Sequence, residues 1–354
     1  MKAMIPFMKL APKVCSSIIS NRKNLIKPLV DLYMAKEYKK IVIVASGSSS
    51  NIANSVKYFI QNTLNTEVKI IWPMTYIKFD YKFNEDAFII CMSQSGKSTN
   101  TIQAVKKANK MGQDVAVLTT NANSPIKQYT NNVFEYGSGS DDYYVAKGYP
   151  ASCTFLMLFA LETALAKNII KKEEFELKLK ELETAISLMK TSFEVSEQFY
   201  ANNKEEFKAM RRVMVVGCGP SYGTALEGAL KINETFGIPT NAYEMEEFVH
   251  GPSYEIFKDH AVFFIDNGDD AHERIMQLYS ALHLLTDKVF LISNNGNVAD
   301  KRIWKLDYEI SNEFSILFNI IPFQIISDSI CSDLDLLSYN VRNYEFEKII
   351  KTKA

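Results

Sequence analysis

The chain has 354 residues, enough for two domains of ordinary size with apolar material for both cores. Hydrophobic residues make up 47 % and charged ones 23 %, the balance of a soluble globular protein, and a net charge of -1 gives no overall bias toward nucleic acid or membrane. Basic pairs such as Lys106-Lys107 and Lys171-Lys172 read most simply as solvated helix faces. Five cysteines (Cys15, Cys91, Cys153, Cys218 and Cys331) form an odd set without a CxxC spacing, which fits a reducing cytoplasm and argues against a structural zinc site.

In chain order, the opening MKAMIPFMKLAPKV has no continuous apolar run of signal-peptide length, and no later apolar stretch reads as long enough to span a bilayer. The expectation is a cytoplasmic protein. From Lys39, KKIVIVASGSSSNIANSVKYFI gives a basic pair, a short apolar run, a Gly/Ser turn and a helix-compatible stretch. Two more apolar runs follow, AFIICMSQSG from Ala87 and DVAVLTTN from Asp114, with a helix predicted over Asn100–Met111 between them. Runs of this length bounded by turn residues suit strands buried on both faces of a parallel sheet. Residues 152–210 are helical in pattern: FLMLFALETAL is apolar enough to pack inside, and IIKKEEFELKLKELETAISLMK is amphipathic without sustained heptads. The domain boundary is placed near Ser196, giving domains 1–195 and 196–354.

The second half then repeats the first. RRVMVVGCGPSYGTALEGALKI from Arg211 matches the Lys39 segment at an offset of 172, and AVFFIDNG from Ala261 and KVFLISNN from Lys288 match the later runs at 174. A helix over Ala271–Thr286 completes the correspondence. Strand and helix in alternation imply right-handed crossovers, hence two α/β domains, each a doubly wound parallel sheet in a three-layer αβα sandwich.

Ligands of such sheets collect at the carboxyl ends of the strands. In the first half those ends are Ser46-Gly47-Ser48-Ser49-Ser50 and Ser93-Gln94-Ser95-Gly96-Lys97-Ser98-Thr99, dense in hydroxyls and each opening a helix. Helix N-termini favour anions, so the pair suits a phosphate monoester, although serine turns are also ordinary helix caps. Neither the GxxxxGK[ST] loop nor the GxGxxG fingerprint is present. The second half has Asp266-Asn267-Gly268-Asp269-Asp270 at the equivalent of the Ser93 loop, which would repel phosphate and assigns the anion to the first half.

The second half offers LEGALKINE and EEFVHGP instead. Glu227, Lys231 and Glu234 share one helix face, with small Gly228 and Ala229 between them, and this is either a surface ion-pair ladder or a packed site. His250, fixed before Gly251-Pro252, could act as acid and base near a carboxylate. His260, His272 and His283 read as ordinary surface or helix residues.

SGSSSNIA, SQSGKSTNT and ALEGALKINE…EEFVHGP together resemble the sugar isomerase (SIS) module, present twice in the isomerase half of glucosamine-6-phosphate synthase and in fructosamine-6-phosphate deglycases. The resemblance implies two tandem SIS domains and a homodimer, or a higher even oligomer, with its active site shared between subunits. It matches Ser93, Gln94, Ser95 and Ser98 to the phosphate loop, and Ser48 and Ser49 to the loop beside it. Glu234 matches the general base between sugar carbons 1 and 2, with Glu227 and Lys231 as supporting groups. His250 matches the histidine that assists ring opening or acts as acid from across the dimer.

Where the synthase tail has a lysine contacting the sugar carbonyl, NVRNYEFEKIIKTKA offers Lys348 as a weak counterpart. No glutaminase domain is present, and the Tyr144–Tyr149 loop looks more like the deglycase branch. The implied function is a fructosamine-6-phosphate deglycase acting on a small-molecule sugar phosphate without metal or other cofactor. The alternatives are an amino-sugar-6-phosphate deaminase or isomerase releasing ammonia, and a non-catalytic sugar-phosphate regulator. The regulator is disfavoured because no DNA-binding helical domain precedes Lys39.

Overall fold

A computed structural model describes residues 3–294, 300–336 and 344–354. The chain falls into two compact units: Lys13–Leu179 with Val341–Ala354, and Met1–Pro12 with Lys180–Asn340. In chain order the elements used below are α1 (Ile5–Ser20), β1 (Lys40–Val44), α2 (Ser48–Leu64), β2 (Glu67–Ile71), β3 (Ala87–Met92), α3 (Thr99–Lys110), β4 (Val115–Thr119), β5 (Val133–Glu135), α4 (Gly148–Ala166) and α5 (Lys172–Lys208). They continue with β6 (Arg212–Gly217), α6 (Pro220–Phe236), β7 (Thr240–Glu244), α7 (Met245–Val249), β8 (His260–Asp266), α8 (His272–Leu282), β9 (Val289–Ser293), β10 (Ile303–Lys305), α9 (Ile321–Asp333) and α10 (Tyr344–Ile350).

In the first of these units the strands run in the order β2-β1-β3-β4-β5, every pair parallel. Every residue of β3 is buried, which is why its sequence shows a continuous apolar run instead of an alternation. One face packs Val42, Val44, Ile89, Cys91 and Val117 against Ile102 and Val105 of α3. Each such side chain contributes roughly 1.5–3 kcal/mol by leaving water. The other unit repeats the order as β7-β6-β8-β9-β10, again all parallel. Met214, Val216, Phe264 and Leu291 pack there against Ile275 and Tyr279 of α8.

The duplication extends to backbone torsions. Gly47 caps α2 at φ 57°, ψ -140°, and Gly219 caps α6 at φ 54°, ψ -127°. Both helices have 17 residues and end on a left-handed residue, Asn65 and Gly237. A positive φ with strongly negative ψ is open only to glycine, so each strand-to-helix turn depends on it. In each sheet the strand order reverses between the first strand and the third, placing the ligand crevice beside these turns.

Two expectations need correction. Gly148–Ala166 and Asn312–Asp333 are long and apolar enough by length and composition to cross a bilayer, yet 83 % and 94 % of their spanning windows are buried inside the protein. Their apolar character serves the core: α4 is covered on nearly all sides. His260 is not a surface residue either. It opens β8 with 1 % exposure and accepts a 3.1 Å hydrogen bond at Nδ1 from the Phe257 N–H.

Candidate active site

In the unit of the first sheet, β3 delivers Ser93 into a tight turn closed by Gly96 N–H donating to the Ser93 carbonyl, 3.0 Å. A Cβ on Gly96 would lie 1.9 Å from Ser124 Oγ, so a bare Cα is needed at that position. Ser93 Oγ donates to Ser98 Oγ at 3.0 Å, and Ser95 Oγ accepts from the Lys97 N–H at 3.2 Å. Ser98 occupies the N-cap of α3 without a side-chain cap, which leaves its hydroxyl to the serine cluster. The neighbouring loop is tied in through Asn100 Nδ2 donating to Ser46 Oγ, 3.1 Å. Ser48 and Ser49 form the first turn of α2, Ser49 being buried. Ser93, Ser95 and Ser98 thus form one cluster, and Ser48 and Ser49 open the adjacent helix.

Two further segments of this unit meet the loop: the tail, which the sequence offered only through Lys348, and the Tyr144–Tyr149 loop, which it marked only by its likeness to the deglycase branch. The last residues run antiparallel to it: Thr99 N–H donates to the Thr352 carbonyl at 3.0 Å, Thr99 Oγ1 to the Lys351 carbonyl at 2.8 Å, and Ala354 N–H to the Lys97 carbonyl at 2.8 Å. Lys348 is exposed on α10 and pairs with Glu345 at 2.8 Å. The second segment is the turn before α4, where Tyr144 and Val145 are both left-handed, φ 51° and 58°. Asp142 braces that turn by accepting from the backbone N–H groups of Tyr143, Lys147 and Gly148 at 2.9, 3.2 and 2.8 Å. Burial pushes the Asp142 carboxyl above its usual range, and those three N–H groups pull the other way.

In the unit of the second sheet, α6 carries Glu227, Lys231 and Glu234. The structure favours the packed site over the surface ladder: Glu227 and Lys231 have side chains 0 % and 1 % exposed, and Glu234 is 24 % exposed. Lys231 Nζ lies 3.2 Å from Glu227 and also hydrogen-bonds Glu234. Burial lowers the lysine's pKa, but Glu227 and then Glu234 outweigh it, and the ammonium ends above its ordinary 10.5. Gly228 lets α6 approach α9 closely, since a Cβ there would sit 2.7 Å from the Phe323 ring.

His250 lies elsewhere in that unit. It is exposed at the end of α7, its N–H donating to the Glu247 carbonyl, and it helps, after Arg274, to hold the Glu246 carboxyl below its usual range. No described hydrogen bond or ion pair joins it to Glu227, Lys231 or Glu234. Cys218, in the turn before α6, has a thiol pushed up to about 11 by burial and by Glu244, which favours the protonated thiol over the thiolate. Asp266 is buried and structural: it accepts from Gly268 N–H at 2.9 Å and Ser293 Oγ at 2.7 Å and pairs with His272 at 2.9 Å. A groove of about 370 Å³ beside α1 and α5, lined by Met8, Met189, Phe193 and Ile321 among others, touches none of the candidate residues.

A repeated five-stranded doubly wound module, with a serine loop on one copy and a helix carrying Glu227, Lys231 and Glu234 on the other, defines a tandem α/β protein. The chain belongs to the SIS domain family, whose model matches residues 34–162 and 206–302. A curated glutamine–fructose-6-phosphate aminotransferase (isomerizing) from Caldanaerobacter subterraneus is 26 % identical over 321 residues, covering 88 % of this chain and 51 % of that protein. The chain therefore spans about half the length of such relatives. Among solved structures, one described as a phosphosugar isomerase from Clostridium difficile superposes with a TM-score of 0.91 at 27 % identity, over 100 % of this chain and 99 % of that one. The C-terminal domain of a glucosamine-fructose-6-phosphate aminotransferase from Francisella tularensis shares the fold, with a TM-score of 0.81 at 21 % identity over 93 % and 96 % of the two chains.

Proposed function

We propose that the protein is a fructosamine-6-phosphate deglycase. The observation that carries this reading is the buried Lys231 with a carboxylate on either side, one of them, Glu234, reaching the surface. A surface ladder would leave all three groups in water. A proton-transfer site needs one accessible carboxylate held rigidly by groups that water cannot displace, which is the arrangement found.

In this reading the unit of the first sheet is the phosphate-binding module and the unit of the second sheet the proton-transfer module. Ser93, Ser95 and Ser98, with Ser48 and Ser49, hold the phosphate, so that binding energy remote from the reaction positions carbons 1 and 2. Glu234 removes a proton from carbon 1 of the ketoamine, giving an enaminol. Returning that proton to carbon 2 places a C=N bond at carbon 1. Water adds to that carbon, the C–N bond breaks, and the products are an amine and an aldose 6-phosphate. His250, contributed by the partner subunit, exchanges protons at the sugar oxygen. Lys231 keeps Glu234 in place, and Lys348 is the tail residue proposed to approach the sugar.

The test is incubation with fructoselysine 6-phosphate and, separately, with glucosamine 6-phosphate, followed by quantification of hexose 6-phosphate, lysine and ammonia. Lysine with glucose 6-phosphate is the expected result. Ammonia from glucosamine 6-phosphate alone would move the protein to the deaminase reading. Binding without turnover of either would make it a regulator.

A further inference from the structure

The loop after β8, Asp266-Asn267-Gly268-Asp269-Asp270, stands in the second sheet where the serine loop stands in the first, and the deglycase reaction makes no use of it. Its first three residues are each held from a different side. Asp266 is wholly buried, with Ser293 Oγ at 2.7 Å and His272 Nδ1 at 2.9 Å. Asn267 Oδ1 accepts from Asn319 Nδ2 at 2.9 Å, and the Gly268 carbonyl accepts from Asn312 Nδ2 at 3.2 Å. The loop is thus fixed at the carboxyl end of an interior strand, where a sheet of this order has its crevice. Space is open beside the neighbouring turn, since a Cβ added to Gly219 would meet nothing within 4 Å.

These contacts leave two amide oxygens over. Asn312 faces a carbonyl, which can only accept, so its nitrogen points there and its Oδ1 is an acceptor. Asn294 Nδ2 and the Tyr308 hydroxyl both donate to that oxygen at 3.3 Å. The chain of contacts therefore sets the Asn294 amide, with Oδ1 turned away from Asn312. Asn319 spends its nitrogen on Asn267 in the same manner. Asn294 Oδ1 and Asn319 Oδ1 are buried atoms with no hydrogen-bond partner among the described residues, and Asn319 as a whole is 1 % exposed. An acceptor so placed carries a desolvation cost of roughly 1–3 kcal/mol until something positive reaches it.

The surrounding charge has one sign. Burial first, and then Glu244 and Asp269, push the Cys218 thiol up; burial first, and then Asp266 and Asp269, do the same to the Tyr308 hydroxyl. Among the described residues, the only basic group paired with these three carboxylates is His272, on Asp266. Asp269 is partly exposed, and its Oδ1 also caps the Ala271 N–H at 3.0 Å. No three His, Cys, Asp or Glu side chains among the described residues come together to hold a metal ion, which speaks against a zinc-type site. Neutral amide oxygens beside one open carboxylate suit a ligand of low positive charge. We infer that this crevice of the second sheet binds a small monovalent cation, ammonium or an alkali ion, through Asn294 Oδ1, Asn319 Oδ1 and the Asp269 carboxylate. Asp266 is a positioning residue that fixes the loop and adds its charge to the field. The inference needs no sugar and is independent of the deglycase reading.

Thermal unfolding of the intact protein tests it. KCl, NaCl or NH4Cl is titrated in exchange for tetramethylammonium chloride, a cation too bulky for the crevice, so that ionic strength stays constant. A cation that binds only the folded protein raises Tm as its concentration rises. The wild-type Tm is expected to climb and level off with at least one of the three small cations, and the lowest midpoint names the occupant. Asp269→Asn keeps an acceptor for the Ala271 N–H, and so the loop, but loses the charge; its midpoint should move up about tenfold. Asn319→Ala should shift the midpoint in the same direction by removing one of the bare oxygens. A wild-type Tm identical in all four salts would mean that water alone fills the site, and would overturn the inference while leaving the sugar-phosphate reading untouched. A rise that persists with an unchanged midpoint in Asp269→Asn would place the cation elsewhere and overturn it as well.

Discussion

Lys231 keeps its charge where burial alone would remove it, because Glu227 and Glu234 stabilise the ammonium more than the loss of water destabilises it. Its folded pKa is raised above 10.5, so the stability it contributes is fully present below pH 10.5 and disappears as pH rises through the raised value. Lys231→Met leaves Glu227 buried without its counter-charge, and a loss of about 3–5 kcal/mol is expected in denaturant unfolding. The paired variant Glu227→Gln/Lys231→Met should recover part of that loss, since it leaves no lone buried charge. Glu234→Gln is a different experiment. It preserves shape and a hydrogen bond to Lys231 but cannot accept a proton, so kcat should fall about 10²–10⁴-fold with KM within about threefold. A variant retaining wild-type kcat in a glucose 6-phosphate release assay would remove Glu234 from the base role.

Among the elements, α6 is held close to α9, with Gly228 against the Phe323 ring. Gly228→Ala should cost about 1–3 kcal/mol by overpacking, although alanine is the better helix former; a gain in thermal stability would contradict the close approach. The strands and their repeated turns were legible in the sequence because full burial writes itself as an unbroken apolar run, as in Ala87–Met92. The serine loops were legible because small hydroxyl residues and glycine have few other reasons to cluster at a strand end. The Tyr144–Val145 turn was not, since neither residue is one of the types that favour left-handed backbone; its cause is Asp142, whose carboxylate closes a loop that no periodicity marks. His260 was misplaced for a related reason: a polar residue at a strand's first position resembles a loop residue until its hydrogen bond is known. Helix α4 passes as an apolar span because its one charge, Glu162, leaves the mean hydropathy of that window high. The pairing of Lys97–Thr99 with the last residues joins segments about 250 positions apart, which local patterns do not encode.

For the whole molecule, the shared-site reading makes a prediction that one chain alone cannot satisfy. Light scattering should show a dimer. Glu234→Gln and His250→Ala proteins, each inactive, should regain about one quarter of wild-type activity when unfolded and refolded together, because half the molecules become mixed dimers with one intact site each. No recovery would place both residues of a working site in one chain. The compact units are also not cut from the chain in one piece: residues up to Pro12 belong with Lys180–Asn340, and Val341–Ala354 belongs with Lys13–Leu179. The backbone N–H of Met4 donates to Asp328 Oδ1 at 2.6 Å across a sequence separation of 324 residues, and Phe7, Met8 and Ala11 are buried. At a synthesis rate of roughly 5–20 residues per second, Asp328 emerges some tens of seconds after Met4. Throughout that interval the apolar side of α1 has left the ribosome before the body it belongs to exists, so chaperones and proteases have access to it that they lose in the finished protein. A segment made well before its partners is one of the last to be housed.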